Sequence, residues 1–319
     1  MKYKKTAIIF GITGQDGAYL SHYLLSKGYK VTGTTRNKSK KNLYRLKRLD
    51  VIKKIKIVQG EALDSKFCKK ILNSKINEIY FLSGQSSILK SFKNPQLSLN
   101  SNVLGLINIL EVIKNRKLKA KLFNAGSAQV FGDHKKKSYN MDSKVDPQSP
   151  YGVSKVASSA IIKIYRENYG IYCCTGVLFN HESCLRSKEF VTKKIVDVSK
   201  KIVKDKKIKL ELGNVNILRD WGWAPEYMKA VWLMLQNKKP KDLIIGSGKI
   251  FSIKDFVNEV FKIQKISKKN LIFDVSKFKR KLDIHSYKAD IRNTKKVLKW
   301  EPKIKFKKIV YKMVNDELF

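Results

Sequence analysis

A short apolar run, Thr6–Phe10, leads directly into Gly11-Ile12-Thr13-Gly14-Gln15-Asp16-Gly17. An amphipathic stretch follows at Gly17–Ser26. Strand, glycine-rich turn and helix in that order can hold the pyrophosphate of a dinucleotide at the helix N-terminus. The spacing is GxxGxxG, not the GxGxxG of ordinary dinucleotide folds, so the flanking strand and helix carry much of the signal.

The same alternation continues along the chain. Further strands are expected at Lys30–Thr35, Ile55–Val58, Ile79–Leu82, Lys121–Asn124 and Ile171–Val177. Helical patterns lie between them at Ser65–Leu72, Asn100–Ile113 and Tyr151–Tyr169. Strands alternating with helices predict an α/β protein built on a Rossmann-type, doubly wound parallel sheet. Beyond about residue 178 the alternation becomes irregular, with helices expected at Glu189–Val203, Pro225–Leu235 and Ile253–Phe261. The expected division is a dinucleotide-binding domain over residues 1–177 plus about 215–250. A smaller, interleaved C-terminal substrate lobe takes residues 178–214 and 251–319.

Within Ser149-Pro150-Tyr151-Gly152-Val153-Ser154-Lys155, Tyr151 and Lys155 stand four apart. On a helix they share one face. An ammonium placed there can lower the phenol's pKa and let it work as a base near neutral pH. Ser127 follows an apolar strand, at the sheet edge where open α/β folds place ligands. It can hydrogen-bond the hydroxyl that Tyr151 deprotonates. These residues imply a nicotinamide-dependent enzyme that removes hydride from a carbinol carbon. Gly33-Thr34-Thr35-Arg36-Asn37 lacks the acidic residue that would bind the ribose of NAD. Arg36 suits the 2′-phosphate of NADP, so NADP is expected, with NAD as the alternative.

The chain has 319 residues, 43% of them hydrophobic, enough for a real core. Lys+Arg number 68 against Asp+Glu 26, a net charge of +42. Such charge draws anions, and a basic nucleic-acid-associated protein is the remote alternative. The lysines are spread along the whole length, though, so no specific nucleic-acid partner is expected. Cys68, Cys173, Cys174 and Cys184 have no metal-ligand spacing and read as reduced thiols of a cytoplasmic protein. Asn180-His181-Glu182-Ser183 lacks a second His at i+4, and no metal is expected. The apolar run after Met1-Lys2-Tyr3-Lys4-Lys5 is too short to span a membrane.

These motifs match a known family. The chain resembles the extended short-chain dehydrogenase/reductases, and among them the GDP-mannose 4,6-dehydratases. The most specific pieces are the glycine turn, Leu178-Phe179-Asn180-His181-Glu182-Ser183, Phe190-Val191-Thr192, Leu212-Gly213-Asn214, Arg219-Asp220-Trp221-Gly222 and Trp232-Leu233-Met234-Leu235. The stretch Leu298-Lys299-Trp300-Glu301-Pro302 matches too. The resemblance implies tightly bound NADP and a GDP-sugar substrate. Tyr151 and Lys155 would be the base pair, with Ser127 as the catalytic hydroxyl and Gln129 beside it. The cofactor would meet Gly11, Thr13, Gly14, Gln15, Asp16, Gly17, Arg36, Glu61, Ala62, Leu82, Ser83, Gly84, Asn102, Leu178 and Asn180. The substrate would meet Ser87, Ser127, Asn180, Val191, Lys193, Leu212, Gly213, Arg219, Arg280 and Asp283. Homodimers or homotetramers are implied, though the loop Asn37–Arg45 that tetramers use looks shortened.

Two departures bear on activity. Dehydratases of this superfamily carry a Glu two residues after the hydroxyl residue; this chain has Ser127-Ala128-Gln129. An amide has no proton-exchange equilibrium near pH 7, so it cannot remove the C5 proton during loss of water. Oxidation at C4 needs no such group. The first expectation is therefore a GDP-sugar enzyme that oxidises C4 of a hexose or heptose. A complete GDP-mannose 4,6-dehydratase is the alternative. Trp223 and Glu226 replace His and Asp of many relatives and are expected to reshape the sugar pocket.

Overall fold

The computed structural model describes residues 5–133, 138–273, 284 and 286–319. The first half alternates as expected. In order come β1 (Lys5–Phe10), α1 (Gln15–Ser26), β2 (Tyr29–Thr35), α2 (Tyr44–Arg48), β3 (Lys56–Gln59), α3 (Ser65–Ile71) and β4 (Glu78–Phe81). Then follow α4 (Ile88–Lys93), α5 (Pro95–Leu99), a π-turn at Asn100–Leu104, α6 (Gly105–Asn115), β5 (Lys121–Ser127), α7 (Pro150–Tyr169) and β6 (Cys173–Leu178). The strands read as near-continuous apolar runs because helices cover both faces of a parallel sheet. β4 and β6 are buried at every position.

The irregular half holds β7 (Asn180–Glu182), α8 (Val191–Lys204), β8 (Leu210–Leu212), β9 (Leu218–Arg219), β10 (Trp221–Trp223) and α9 (Ala224–Gln236). After these come β11 (Leu243–Ile245), β12 (Phe251–Ser252), α10 (Ile253–Ile263), β13 (Leu271–Phe273), α11 (Arg292–Leu298) and α12 (Phe306–Val314). One of these strands returns to the main sheet: β11 pairs in parallel with β6. The sheet order is β11-β6-β5-β4-β1-β2-β3, parallel throughout. The order reverses between β1 and β4, which opens a crevice at the carboxyl ends of those strands.

Three small paired-strand units and helices α8, α10 and α12 make the smaller lobe. Its core includes Ile195, Ile202, Leu210, Trp221, Phe256, Phe306 and Ile309. Phe306 stacks on Phe251 at 4.0 Å between ring centroids and also meets Trp221 and Phe256. Phe306→Ala is expected to cost about 3–5 kcal/mol, measured by chemical denaturation, because it removes a ring that three others enclose.

Trp223 and Glu226 do not reshape a sugar pocket. Trp223 is buried in this core, with Lys312 over its ring. The Glu226 carboxylate accepts hydrogen bonds from the backbone N–H of Lys303 (2.7 Å) and Ile304 (3.1 Å). Glu226 thus ties α9 to the chain that precedes α12, and neither residue lines the cleft.

Candidate active site

A cleft of about 710 Å³ lies at the carboxyl edge of the sheet, within the size range of ligand pockets. Its floor is the turn between β1 and α1. Gly11 has φ +86°, and a Cβ there would lie 2.8 Å from Ser83 N. A Cβ on Gly17 would lie 2.4 Å from Gly11 O. The turn therefore closes only with glycine at both positions, and it leaves the first N–H groups of α1 facing the cleft. This is the cradle a dinucleotide diphosphate requires.

Gly11, Gly14, Gln15, Asp16, Gly17, Leu82, Ser83, Gly84, Asn102, Leu178 and Asn180 all line the cleft. Four cofactor expectations fall elsewhere. Thr13, Arg36, Glu61 and Ala62 are not among the lining residues. Thr13 reaches Thr35, since their hydroxyls lie 3.5 Å apart. Arg36 is exposed at the end of β2, and Glu61 is exposed after β3. Arg45 lines the cleft instead, though nothing in the sequence singled it out. It donates from Nε to Leu185 O (2.8 Å) and from Nη1 to Thr13 O (3.1 Å), which ties α2 to the turn.

The second wall is the start of α7. Ser149 caps this helix by accepting from Gly152 N, Pro150 sits in its first turn, and Gly170 ends it at φ +63°. The helix buries Tyr151, Lys155, Ser158 and Ile162, which recur at i, i+4, i+7 and i+11. Tyr151 and Lys155 thus share the inner face, as their spacing predicts. Ser127 at the end of β5 lines the cleft with them.

The electrostatics differ from the simple expectation. Burial pushes the Tyr151 phenol up, and the Ser127 hydroxyl and the Arg186 charge oppose that rise. Lys155 is not what lowers it here. Its ammonium donates to Ala125 O (2.8 Å) and lies 5.7 Å from the Tyr151 ring centroid. Burial brings the Lys155 ammonium down to about 8. Arg186 is the missed contributor: it lines the cleft, stacks at 3.6 Å on the Phe190 ring and lies 3.3 Å from Glu182 Oε2. An arginine in a lysine-dominated chain was the available signal for it.

Gln129 lines the cleft beside Ser127, and its backbone N–H donates to Ser127 Oγ (3.3 Å). Three carboxylates border the same space among the described residues: Asp16, Glu182 and Glu189. Each is engaged. Asp16 Oδ1 lies 2.9 Å from His181 Nε2. Glu182 accepts from Thr192 Oγ1 at 2.6 Å. Glu189 pairs with Lys90 across the cleft mouth.

The far end is lined by Ser87, Val191, Leu212, Gly213, Arg219 and Trp221. Arg219 donates to Leu218 O (2.8 Å) and Ile284 O (2.9 Å). Lys193 does not line the cleft: it pairs with Asp197 at 3.1 Å along α8, while its neighbour Lys194 lines the cleft and donates to Glu211 O (2.8 Å). Arg280 and Asp283 lie outside the described residues.

Known proteins resemble this chain in sequence and in fold. The family model described as GDP-mannose 4,6 dehydratase matches residues 8–313. The GDP-mannose 4,6 dehydratase 1 of Arabidopsis thaliana is 35% identical over 329 residues, covering 100% of this chain and 91% of that protein. Among solved structures, a dTDP-glucose 4,6-dehydratase of Bacillus anthracis in complex with NAD superposes with a TM-score of 0.85 at 19% identity. It covers 98% of this chain and 96% of that one. RMD from Pseudomonas aeruginosa, complexed with NADPH, gives a TM-score of 0.80 at 17% identity, covering 98% and 99%. The chain belongs to the GDP-mannose 4,6-dehydratase family of extended short-chain dehydrogenase/reductases, and it is an enzyme of that family.

Proposed function

We propose that the chain is a nicotinamide-dependent enzyme that oxidises a GDP-linked sugar at C4. The observation that carries this is Ser127 and Tyr151 in one cleft with an amide, Gln129, where loss of water needs a carboxylate. Ser127 orients the C4 hydroxyl, and Tyr151 accepts its proton. Arg186 supplies positive charge that favours the phenolate. A bound nicotinamide supplies the hydride acceptor. The glycine turn, Ser83, Gly84, Asn102 and Leu178 would hold that cofactor. The end of β2 carries no carboxylate for the ribose of NAD, which supports NADP over NAD and is tested by comparing the two dissociation constants.

Relatives named for GDP-mannose 4,6-dehydration favour a second reading. In it, C5 deprotonation and loss of the C6 hydroxyl follow, with a base other than residue 129. Family similarity backs this reading more strongly than the first; the amide and the engaged carboxylates are what count against it. Incubation with GDP-mannose and NADP, followed by mass spectrometry of the sugar nucleotide, separates them. Loss of two hydrogens with reduced cofactor supports C4 oxidation. Loss of one water overturns it in favour of the dehydratase. An unchanged sugar nucleotide excludes GDP-mannose and makes a GDP-heptose the next substrate.

A homodimer is part of the proposal. On the outer face of α7, Val153, Ala157, Ala160 and Ile164 form an apolar stripe at i, i+4, i+7 and i+11, with Val153 and Ile164 exposed. Leu97 and Leu104 are exposed nearby, on segments that pack against α7. An unpartnered stripe on a long helix suits a second copy of the same helix. Ile164→Glu is expected to give a monomer in sedimentation; an unchanged mass would sink the assignment.

A further inference from the structure

We propose that His181 is carried as a buried imidazolium and that its ion pair with Asp16 is a positioning device, locking the glycine turn of α1 against β7. Both ring nitrogens face acceptors. Nδ1 lies 2.7 Å from Phe179 O, and Nε2 lies 2.9 Å from Asp16 Oδ1. A neutral imidazole has one N–H and could donate to only one of them. A carbonyl accepts only, and so does an ionised carboxylate, so both nitrogens must carry protons.

The surroundings agree. Burial alone would lower His181 and raise Asp16. For His181 that burial is outweighed by the charge and hydrogen bond of Asp16, which raise it above the ordinary histidine range. For Asp16, burial is outweighed by His181 and the Gln15 amide, which bring the carboxyl to about 2. Arg186 opposes the imidazolium from the loop after β7, and Arg45 faces Asp16 from α2. From α9 the Tyr227 ring lies against the imidazole at 5.0 Å. Burial and the neighbouring Asp220 push the Tyr227 phenol well up, so it stays neutral.

The pair is the centre of a closed network. Gln15 Nε2 donates to Asp16 Oδ1 (3.1 Å) and to His181 O (3.2 Å). Ser183 Oγ donates to Gln15 Oε1 at 2.8 Å. His181 and Gln15 are more than nine-tenths buried, and Ser183 is fully so. The bonds that cross from the turn to β7 and the residue after it join positions 165 to 168 apart in sequence. They bind the sheet's cofactor turn to β7, which carries Asn180 into the same cleft and pairs with β10 of the smaller lobe. The predicted effect on cofactor affinity rests on the nicotinamide reading; the protonation state does not.

Two measurements test this. The first is nitrogen NMR on ligand-free protein with labelled imidazoles, using His181→Gln to identify the signal among four histidines. One imidazole is expected to keep both N–H groups at a pH where the others are neutral, and to lose this in Asp16→Asn. A singly protonated His181 in the wild type would overturn the proposal. The second is dinucleotide affinity against pH. The folded-state pKa of His181 is raised, so the pair is intact at low pH and lost as pH rises through that value. Wild-type affinity should fall on that rise, while Asp16→Asn should be flat and weaker by about 10–100-fold. Equal affinities would refute the positioning role. If neither NAD nor NADP binds the wild type, the nicotinamide reading fails, and melting temperature against pH decides the lock: identical profiles for wild type and Asp16→Asn would rule it out.

Discussion

Tyr151→Phe is expected to lower the rate of C4 oxidation by about 10²–10⁴-fold while leaving dinucleotide affinity within a few-fold. The phenol oxygen is the only atom removed. The ring keeps its place on the inner face of α7, where Tyr151 is buried. Single-turnover reduction of the bound nicotinamide, read by absorbance, is the direct measurement. A variant that still reduces the cofactor at the wild-type rate would remove Tyr151 from the chemistry. The pH profile adds a second check. Burial pushes the Tyr151 phenol up while Ser127 and Arg186 oppose that rise, so the rate of cofactor reduction should climb with pH as the phenol ionises, and Tyr151→Phe should lose that dependence.

The second large effect is a gain. Gln129→Glu places a carboxylate beside Ser127, in a cleft whose described carboxylates are otherwise engaged. Under the C4-oxidation reading, loss of water should rise by about 10²–10⁴-fold, the usual contribution of a positioned base. The change is nearly isosteric, so stability should move little. Mass spectrometry of the sugar nucleotide would show the dehydrated product and cofactor returned to its oxidised form. A wild type that already dehydrates, with no further gain in Gln129→Glu, would mean that the C5 base lies elsewhere.

Much of the site was legible because its causes are local. Gly11 and Gly17 are required by backbone approach within a seven-residue turn. The Tyr151/Lys155 pairing follows from helical periodicity, and the Ser149 cap and Pro150 mark where that helix starts. The parallel sheet follows from apolar runs alternating with amphipathic ones. Strand β11 was not legible, since three residues carry no period and its partner β6 lies more than sixty residues earlier. The choice between Lys193 and Lys194 turned on about 100° of helical phase. That phase is set by burial of Ile195, Val196, Ser199 and Ile202 against the smaller lobe.

The sequence by itself determined the sheet class, the glycine turn, the inward face of α7 and the absence of a carboxylate at position 129. Each depends on residue type and on spacing within one element. Tertiary structure alone decided that Arg45 and not Arg36 borders the cleft, that Trp223 belongs to a core, and that the Arg186 charge acts on the Tyr151 phenol. It also decided the charge on His181. A histidine's protonation is set by what its two nitrogens meet, and here both partners come from chain folded around it, one of them from 165 residues away.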